Sequence, residues 1–243
     1  MQPRVAVLID LAFFIQQYRA HAHDTQAASM ATALHQGALR TQGSSRPPGR
    51  NHETRHDLYR VFCYDTRPLT GQTGHPVSGE PLNLAERADS RLRQGLHDEL
   101  RRKRKVALRL GNLAPAEPEW QLQGATTRDL IAGRRTVHTI EEADFALDTH
   151  ARGVELRLGM DVASLAYKRL VERIVLVTGD ADVVPAAKLA RREGMDVVLD
   201  PMGVAVPPGM AEHVDGVQGF MLAHLNHRHG GHRDDPDGED YLD

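Results

Sequence analysis

Acidic residues follow two apolar segments of this sequence. Asp10 ends RVAVLID, the pair Asp180 and Asp182 follows IVLVTG, and Asp161 lies upstream in GMDVASLAYKRLVER. If the two apolar segments are neighbouring parallel strands, these carboxylates lie at one edge of the sheet, where sites form in open α/β folds. Oxygen-only donor sets select hard divalent cations. The spacing therefore predicts a site for Mg²⁺ or Mn²⁺ that is formed by Asp10, Asp161, Asp180 and Asp182.

The same acids have a structural alternative. An Asp after a strand often accepts hydrogen bonds from the first amides of the next helix. Asp161, Asp180 and Asp182, taken singly, fit that capping role, whereas Asp10 closes an apolar strand without an evident structural duty. Two like charges about 4 Å apart repel by roughly 4 kcal/mol at an effective dielectric near 20, so a cluster needs protons or cations. Together the four acids favour a site.

The elements that must position these acids alternate along the chain. Near-continuous apolar strands that alternate with helices are typical of a parallel sheet covered on both faces. The sequence therefore predicts an α/β fold, a Rossmann-like sandwich with a mainly parallel central sheet flanked by helices. The predicted strands are RVAVLID, DLYRVFCYD, VALRLGNL, IVLVTG and MDVVLD, with EWQLQG as a hairpin partner of VALRLGNL. The predicted helices are LAFFIQQYRA, AASMATALHQGAL, NLAERADSRLRQGLHDELRRKRK, GMDVASLAYKRLVER and VVPAAKLARREG.

Composition narrows the class of protein. The chain has 243 residues, of which 40% are hydrophobic and 26% charged, which is typical of a globular domain. No window approaches 18 uninterrupted apolar residues, so no membrane span is expected, and the N-terminal apolar run is interrupted by Asp10, so no signal peptide is expected. The single Cys63 excludes an intramolecular disulfide framework and a cysteine-rich zinc site. These features favour a reducing, cytoplasmic location.

The chain divides into one domain and a tail. Residues 1–222 are predicted to form the domain, with insertions at about residues 22–56 and 66–84. Residues 223–243 are rich in histidine and then in acids, and they have little left to bury, so they are predicted to be disordered. The alternative is that the tail binds a transition metal through its four histidines, which are His224, His227, His229 and His232.

Taken together, the motifs resemble NYN domains, the LabA-like branch of the PIN-like nuclease superfamily. The matching segments are VLID, RGVELRLGMD and VTGDADVVP, and RVFCYDT looks like the family's second strand, Tyr-Tyr-Asp. The resemblance covers about 60% of the chain and is strongest over residues 150–203. The acids in matching positions are Asp10, Glu155, Asp161, Asp180 and Asp182.

The chain departs from the family at four positions. Phe13 stands where the family usually has Asn, and Arg152 where Lys is common. Glu155 replaces Asp, which keeps the carboxylate and lengthens its reach, and Val183 replaces an aromatic residue. The acids that the family uses for metal binding are present, while a polar group near them is lost.

The resemblance implies a PIN/NYN sandwich that acts as a metal-dependent ribonuclease with Mg²⁺ or Mn²⁺. Asp10, Asp161 and Asp180 would hold the metal, Asp182 would be a further or water-mediated ligand, and Glu155 would orient a ligand. The substrate would be RNA, single-stranded or structured. The alternative is a catalytically degenerate NYN domain that acts as an RNA-binding or protein-interaction module. The oligomeric state is open, with a homodimer as the alternative to a monomer.

Cationic residues outside these motifs are candidates for contact with RNA phosphates. The segment RRKRK puts five positive charges at the end of a predicted helix. Such a cluster either binds phosphates, which makes affinity strongly salt-dependent, or is a solvated helix end whose cations suit the helix dipole. The nucleic-acid-binding candidates are Arg101, Arg102, Lys103, Arg104, Lys105, Arg152 and Lys168.

Overall fold

A seven-stranded sheet forms the centre of the molecule. The computed structural model describes residues 2–41 and 56–229. In the order β6-β5-β2-β1-β7-β8-β9, the six strands from β5 to β9 are parallel, and β6 is antiparallel to β5 at one edge. The strands are β1 (Arg4–Asp10), β2 (Asp57–Thr66), β5 (Val106–Leu122), β6 (Phe145–Arg152), β7 (Arg173–Val177), β8 (Asp196–Asp200) and β9 (Gly216–Val217), and β3 (Gln72–Gly74) pairs separately with β4 (Pro81–Asn83). This confirms the α/β sandwich with a mainly parallel central sheet.

Helices cover both faces of the sheet and divide the core into two clusters. The helices are α1 (Leu11–His21), α2 (Ala27–Arg40), α3 (Ala88–Arg102), α4 (Gly124–Ile131), α5 (Val154–Tyr167), α6 (Val184–Arg192) and α7 (Phe220–His229). Side chains of α1, α2, α3 and α7 pack in one cluster, and side chains of α5 and α6 pack in the other. Within the described ranges, no helix combines the length and apolar character that crossing a bilayer requires.

The central strand β1 explains why the sheet is covered on both sides. Its residues from Val5 to Ile9 are fully buried. Val5, Val7 and Ile9 belong to one cluster, and Ala6 and Leu8 to the other, because successive side chains of a strand point to opposite faces. A strand in this position must therefore be apolar at successive residues, without the alternation of apolar and polar residues that a half-buried strand shows.

The strand register brings the predicted acids to one edge. β1 pairs in parallel with β2, with Asp10 opposite Tyr64, and with β7, with Ile9 opposite Val177. The assumption that RVAVLID and IVLVTG are neighbouring strands is therefore confirmed. As a result, the segments that follow Asp10, Tyr64 and Val177 all leave the sheet at its carboxyl-terminal edge.

The structure corrects three of the predicted elements. EWQLQG is not a hairpin partner of VALRLGNL, because VALRLGNL and the first four residues of EWQLQG belong to the single strand β5, whose antiparallel partner is β6. Helix α5 begins at Val154 and not at Gly159. The predicted insertion at 66–84 contains the β3–β4 hairpin, and the insertion at 22–56 contains α2, whose Met30 and Leu34 are buried in the core.

The predicted disorder from residue 223 onward is wrong for residues 223–229. These residues complete α7, whose Met221 and Leu225 are four positions apart and buried against α2 and the core. His224 is buried on the same helix. Two apolar residues four positions apart lie on one face of a helix and can be buried together, although the composition of the tail as a whole is polar. Residues 230–243, with His232, lie outside the described residues.

Candidate functional site

Asp10 lies at the centre of the acidic edge. It ends β1 and is the N-cap of α1, with its Oδ1 accepting hydrogen bonds from the amides of Ala12 at 2.9 Å and Phe13 at 3.2 Å. Asp10 therefore does have the structural duty that its sequence context does not reveal. Burial raises the pKa of its carboxyl, the two amides oppose that rise, and the nearby charges of Asp65 and Asp180 add to it. A protonation-sensitive carboxylate thus lies between two other acids.

Asp180 and Asp182 differ in their surroundings. Asp180 follows β7 and caps the 3₁₀ turn Ala181–Val183, accepting a hydrogen bond from the Asp182 amide at 2.9 Å. The amide of Asp180 donates to Thr178 Oγ1 at 3.0 Å. The Asp182 side chain is exposed and does not cap α6, whose N-cap is Val183. The turn thus fixes the Asp180 carboxylate and leaves that of Asp182 in solvent.

Asp161 does not begin a helix, because α5 starts seven residues earlier. Its Oδ2 accepts hydrogen bonds from the Tyr64 hydroxyl at 2.9 Å and from Arg109 Nε at 2.8 Å. The guanidinium of Arg109 also lies over the ring of Phe62, 5.1 Å from its centroid. The charge of Asp161 is therefore compensated by an arginine of β5.

Glu155 occupies the first turn of α5, and its side chain is exposed. The residue before this helix is Gly153, whose φ of 74° lies in the left-handed region that glycine adopts without strain. This turn lets the chain leave β6 and enter α5 at once. Arg152, the last residue of β6, is also exposed on this side of the sheet.

Asp65 is an acid of this edge that was not among the predicted site residues, and it has one buried and one partly exposed side-chain partner. Asp65 is 3% exposed and accepts hydrogen bonds from the Arg93 guanidinium and from the Thr66 amide. His97 Nε2 lies 2.9 Å from Asp65 Oδ2, and the His97 ring is fully buried with no partner for Nδ1. The signal was present in RVFCYDT, but the partners lie 28 and 32 residues further along the chain.

Two clefts meet at Asp10. The first, which we call the main cleft, has a volume of about 420 Å³ and contains Asp10, Asp65 and Glu155 together with the arginines Arg19, Arg87 and Arg93. The second is more open, has a volume of about 520 Å³, and is formed by Asp10, Ala12, Phe13, Gln16, Gln17, Gly179, Asp180 and Val204. Asp10 is thus exposed to ligands from both sides.

The predicted carboxylates do not converge on one point. Within residues 2–41 and 56–229, no three His, Cys, Asp or Glu side chains form a group that could ligate one ion. Mg²⁺ commonly keeps several waters and is bound by one or two carboxylates plus substrate phosphates. Asp10 and Asp180, which share the second cleft, supply two carboxylates of the right type. The donor set therefore fits a Mg²⁺ or Mn²⁺ ion whose coordination is completed by water and phosphate.

Phe13 fills the space beside this edge. A Cβ atom on Gly179 would lie 2.7 Å from Cε2 of Phe13, so only glycine lets the ring come this close. Val183, another of the four departures from the family pattern, is 4% exposed and packs in the core. An apolar ring therefore lies next to Asp10 and Asp180 where the resemblance led us to expect an amide.

The basic cluster is at the other end of the sheet. Val106, which follows RRKRK, pairs with Val61, whereas the site begins at Tyr64 and Asp65 on the same strand. Arg101 pairs with Asp98 and Arg102 with Glu99, and Lys103 Nζ contacts Thr32 Oγ1 at 3.1 Å. Two of its five cations are therefore paired with acids of α3, and contact of the cluster with RNA phosphates stays a prediction.

Lys168 is also distant from the main cleft. It is the C-cap of α5, 14 residues beyond Val154, which lines the main cleft. A helix of that length spans about 20 Å. Arg152 is two residues before Val154 but lines neither cleft, and the arginines that line the main cleft were not among those predicted.

The chain matches no family model and no curated protein. The crystal structure of a protein of unknown function from Vibrio parahaemolyticus matches this chain with a TM-score of 0.42 and 13% sequence identity over 89% of this chain and 91% of that chain.

Proposed function

We propose that this protein is a metal-dependent ribonuclease that hydrolyses RNA phosphodiester bonds with Mg²⁺ or Mn²⁺. The observation that carries the proposal is the position of Asp10, which ends β1, lies near Asp65 and Asp180, and lines both clefts. Three acids at one sheet edge repel one another, and a divalent cation relieves that repulsion. Arginines in the adjoining cleft offer the complementary charge for a phosphodiester.

Each residue has a definite part in this proposal. Asp10 and Asp180 would hold the ion, each kept in place by the helical turn that it caps. When bound, the ion would supply an activated water and stabilise the charge that develops on the phosphate. Asp65, fixed by Arg93 and His97, would keep the ion and the waters around it oriented. Glu155 and Asp182 are exposed and would act at the periphery of the site.

A second candidate is a degenerate domain that binds RNA or another protein without cleaving RNA. Two observations favour it. Asp161 is compensated by Arg109 and hydrogen-bonded to Tyr64, so it has less need of a metal. The apolar ring of Phe13 lies against Gly179, where an Asn side chain would have provided a polar amide group.

Cleavage of end-labelled single-stranded RNA separates the two candidates. Wild type, Asp10→Asn and Asp180→Asn would be compared in Mn²⁺, Mg²⁺ and EDTA. Asn is as good an N-cap as Asp, so both variants keep their helical turns while losing the charge. Asp98→Asn, on the exposed surface of α3, is the matched control.

The ribonuclease proposal expects cleavage that requires a divalent ion, is retained in Asp98→Asn, and falls by at least about a hundredfold in both site variants. Thermal melts would show that the variants are folded. RNA that stays intact with the wild type in every condition, while binding remains the same in Asp10→Asn, would instead establish the second candidate.

A further inference from the structure

The main cleft has two chemically different sides. The first comes from α1, α3 and the residue that caps α3, and it carries Arg19, Arg87 and Arg93. The second comes from β5, β6 and the start of α5, and it presents Leu113, Leu147 and Val154 beside the exposed carboxylate of Glu155. Asp10 and Asp65 lie at the ends of β1 and β2, between the two sides. A ligand that fills the cleft therefore needs an anionic end and an apolar end.

The arginines differ in how free they are to bind an anion. Arg93 is committed to Asp65. Arg87 forms no ion pair with a described residue. Arg19 is 3.9 Å from Asp89, and both side chains are largely exposed, so this pair is weak and an incoming phosphate can replace Asp89. Arg19 and Arg87 are thus the two cations available to a ligand.

The size of the cleft limits what the ligand can be. A volume of about 420 Å³ lies at the lower end of the range for small-molecule pockets and is too small for a nucleic acid duplex. A nucleotide has the required polarity, because its phosphate is anionic and its base presents a flat, largely apolar face. Arginine binds phosphate oxygens through paired N–H donors.

We infer that the main cleft binds one unpaired nucleotide, with its phosphate against Arg19 and Arg87 and its base against Leu113, Leu147 and Val154. This inference rests on the proposed ribonuclease function and specifies its substrate as a single-stranded segment or end. A phosphate held there lies beside Asp10, at the border of the second cleft.

The test is calorimetric titration of the full chain with adenosine 5′-monophosphate, adenosine and inorganic phosphate, each in EDTA and in Mg²⁺. The variants are Arg19→Gln and Arg87→Gln. The matched control is Arg91→Gln, an exposed arginine of α3 that lies 4.0 Å from Glu86 and does not line the cleft.

The inference expects the monophosphate to bind at least about tenfold more tightly than adenosine or phosphate alone, because each lacks one half of the ligand. Arg19→Gln and Arg87→Gln should each weaken binding of the monophosphate by about tenfold, and Arg91→Gln should leave it unchanged. No binding by the wild type in either condition, or equal binding by all variants, would overturn the inference.

The result is separable from the ribonuclease proposal. Divalent-dependent RNA cleavage without any binding of the monophosphate would overturn the inference and leave the proposed function standing. Arginine-dependent binding of the monophosphate by a wild type that cuts no RNA would support the nucleotide site and remove the proposed function.

Discussion

The carboxylate of Asp161 lies 2.8 Å from Nε of Arg109 and accepts its hydrogen bond. These residues belong to α5 and β5, so the pair ties a helix on one face of the sheet to a strand that continues beyond the acidic edge. Tyr64, which is fully buried, donates to the same oxygen. The pair holds Asp161 in place and supplies the positive charge that a metal ligand would otherwise receive from an ion.

The substitution Arg109→Gln should therefore lower the free energy of unfolding and at the same time raise the affinity for a metal ion. The Asp161 side chain is 22% exposed and that of Arg109 is 38% exposed, so we expect a loss of only about 1 kcal/mol in the free energy of unfolding. Affinity for Mn²⁺ should rise, because a cation near the acidic edge has been removed.

Urea denaturation and Mn²⁺ titration would measure the two effects. Arg134→Gln is the control, because Arg134 is paired with Asp129 on the surface of a different segment. A variant with weaker Mn²⁺ binding than the wild type would contradict this account of the pair.

A second prediction concerns Asp200, which ends β8 and is fully buried. Its oxygens accept hydrogen bonds from the amides of Met202 at 3.0 Å and Met221 at 2.8 Å, so it connects the end of β8 to the start of α7. Burial raises the pKa of its carboxyl to about 6, and the amides only partly oppose the rise. A folded-state pKa above the unfolded value means that the native state binds the proton more tightly.

The protonated Asp200 carboxyl therefore stabilises the fold at low pH. As the pH rises from about 4 to 6, the free energy of unfolding should fall by an amount on the order of 3 kcal/mol. Asp200→Asn carries no titrating group, so its free energy of unfolding should fall less over that range than that of the wild type. The measurement is urea denaturation at several pH values. Parallel profiles for the two proteins would show that Asp200 does not titrate in this window.

A third prediction tests whether α7 is an integral part of the domain. Leu225 is 3% exposed and belongs to the core cluster shared with α1, α2 and α3. Leu225→Ala should lower the free energy of unfolding by about 2–4 kcal/mol, because the removed methyl groups leave a cavity.

The matched control is Leu156→Ala, whose side chain is 67% exposed and should change stability by less than about 0.5 kcal/mol. Chemical denaturation of both variants gives the comparison. Equal, small effects would indicate that the contacts of α7 contribute little to the stability of the domain in solution.

The sequence predicted those elements whose residues carry their own pattern. β1 was recognised to the residue because an apolar run ended by Asp10 is what a strand buried on both faces requires. The start of α5 was missed because Asp161 resembles a capping residue, while the true start depends on the left-handed backbone at Gly153. β5 was divided in two because VALRLGNL and EWQLQG were taken as separate apolar segments, whereas the structure has one strand that pairs with β6 on either side of a register shift.

Of the residues that the structure brings together at the site, the sequence identified those acids that directly follow a strand. Asp10 and Asp180 were identified from that position, and the structure brings both to the same cleft. Arg93 and His97 were not, because their relation to Asp65 exists only after α3 folds back across the sheet edge. Likewise, the sequence displays the charge of RRKRK plainly, but only the register of β5 with β2 tells which edge of the sheet that charge occupies.

The membership of Asp10 in both clefts has a thermodynamic consequence. A ligand in either cleft changes how strongly this one carboxylate holds its proton, and so changes the charge that the other cleft presents. Binding free energies at two coupled positions are reciprocal, so each ligand alters the affinity for the other by the same factor. If each cleft binds a ligand, the two ligands would therefore be heterotropic effectors of one another through the Asp10 carboxylate.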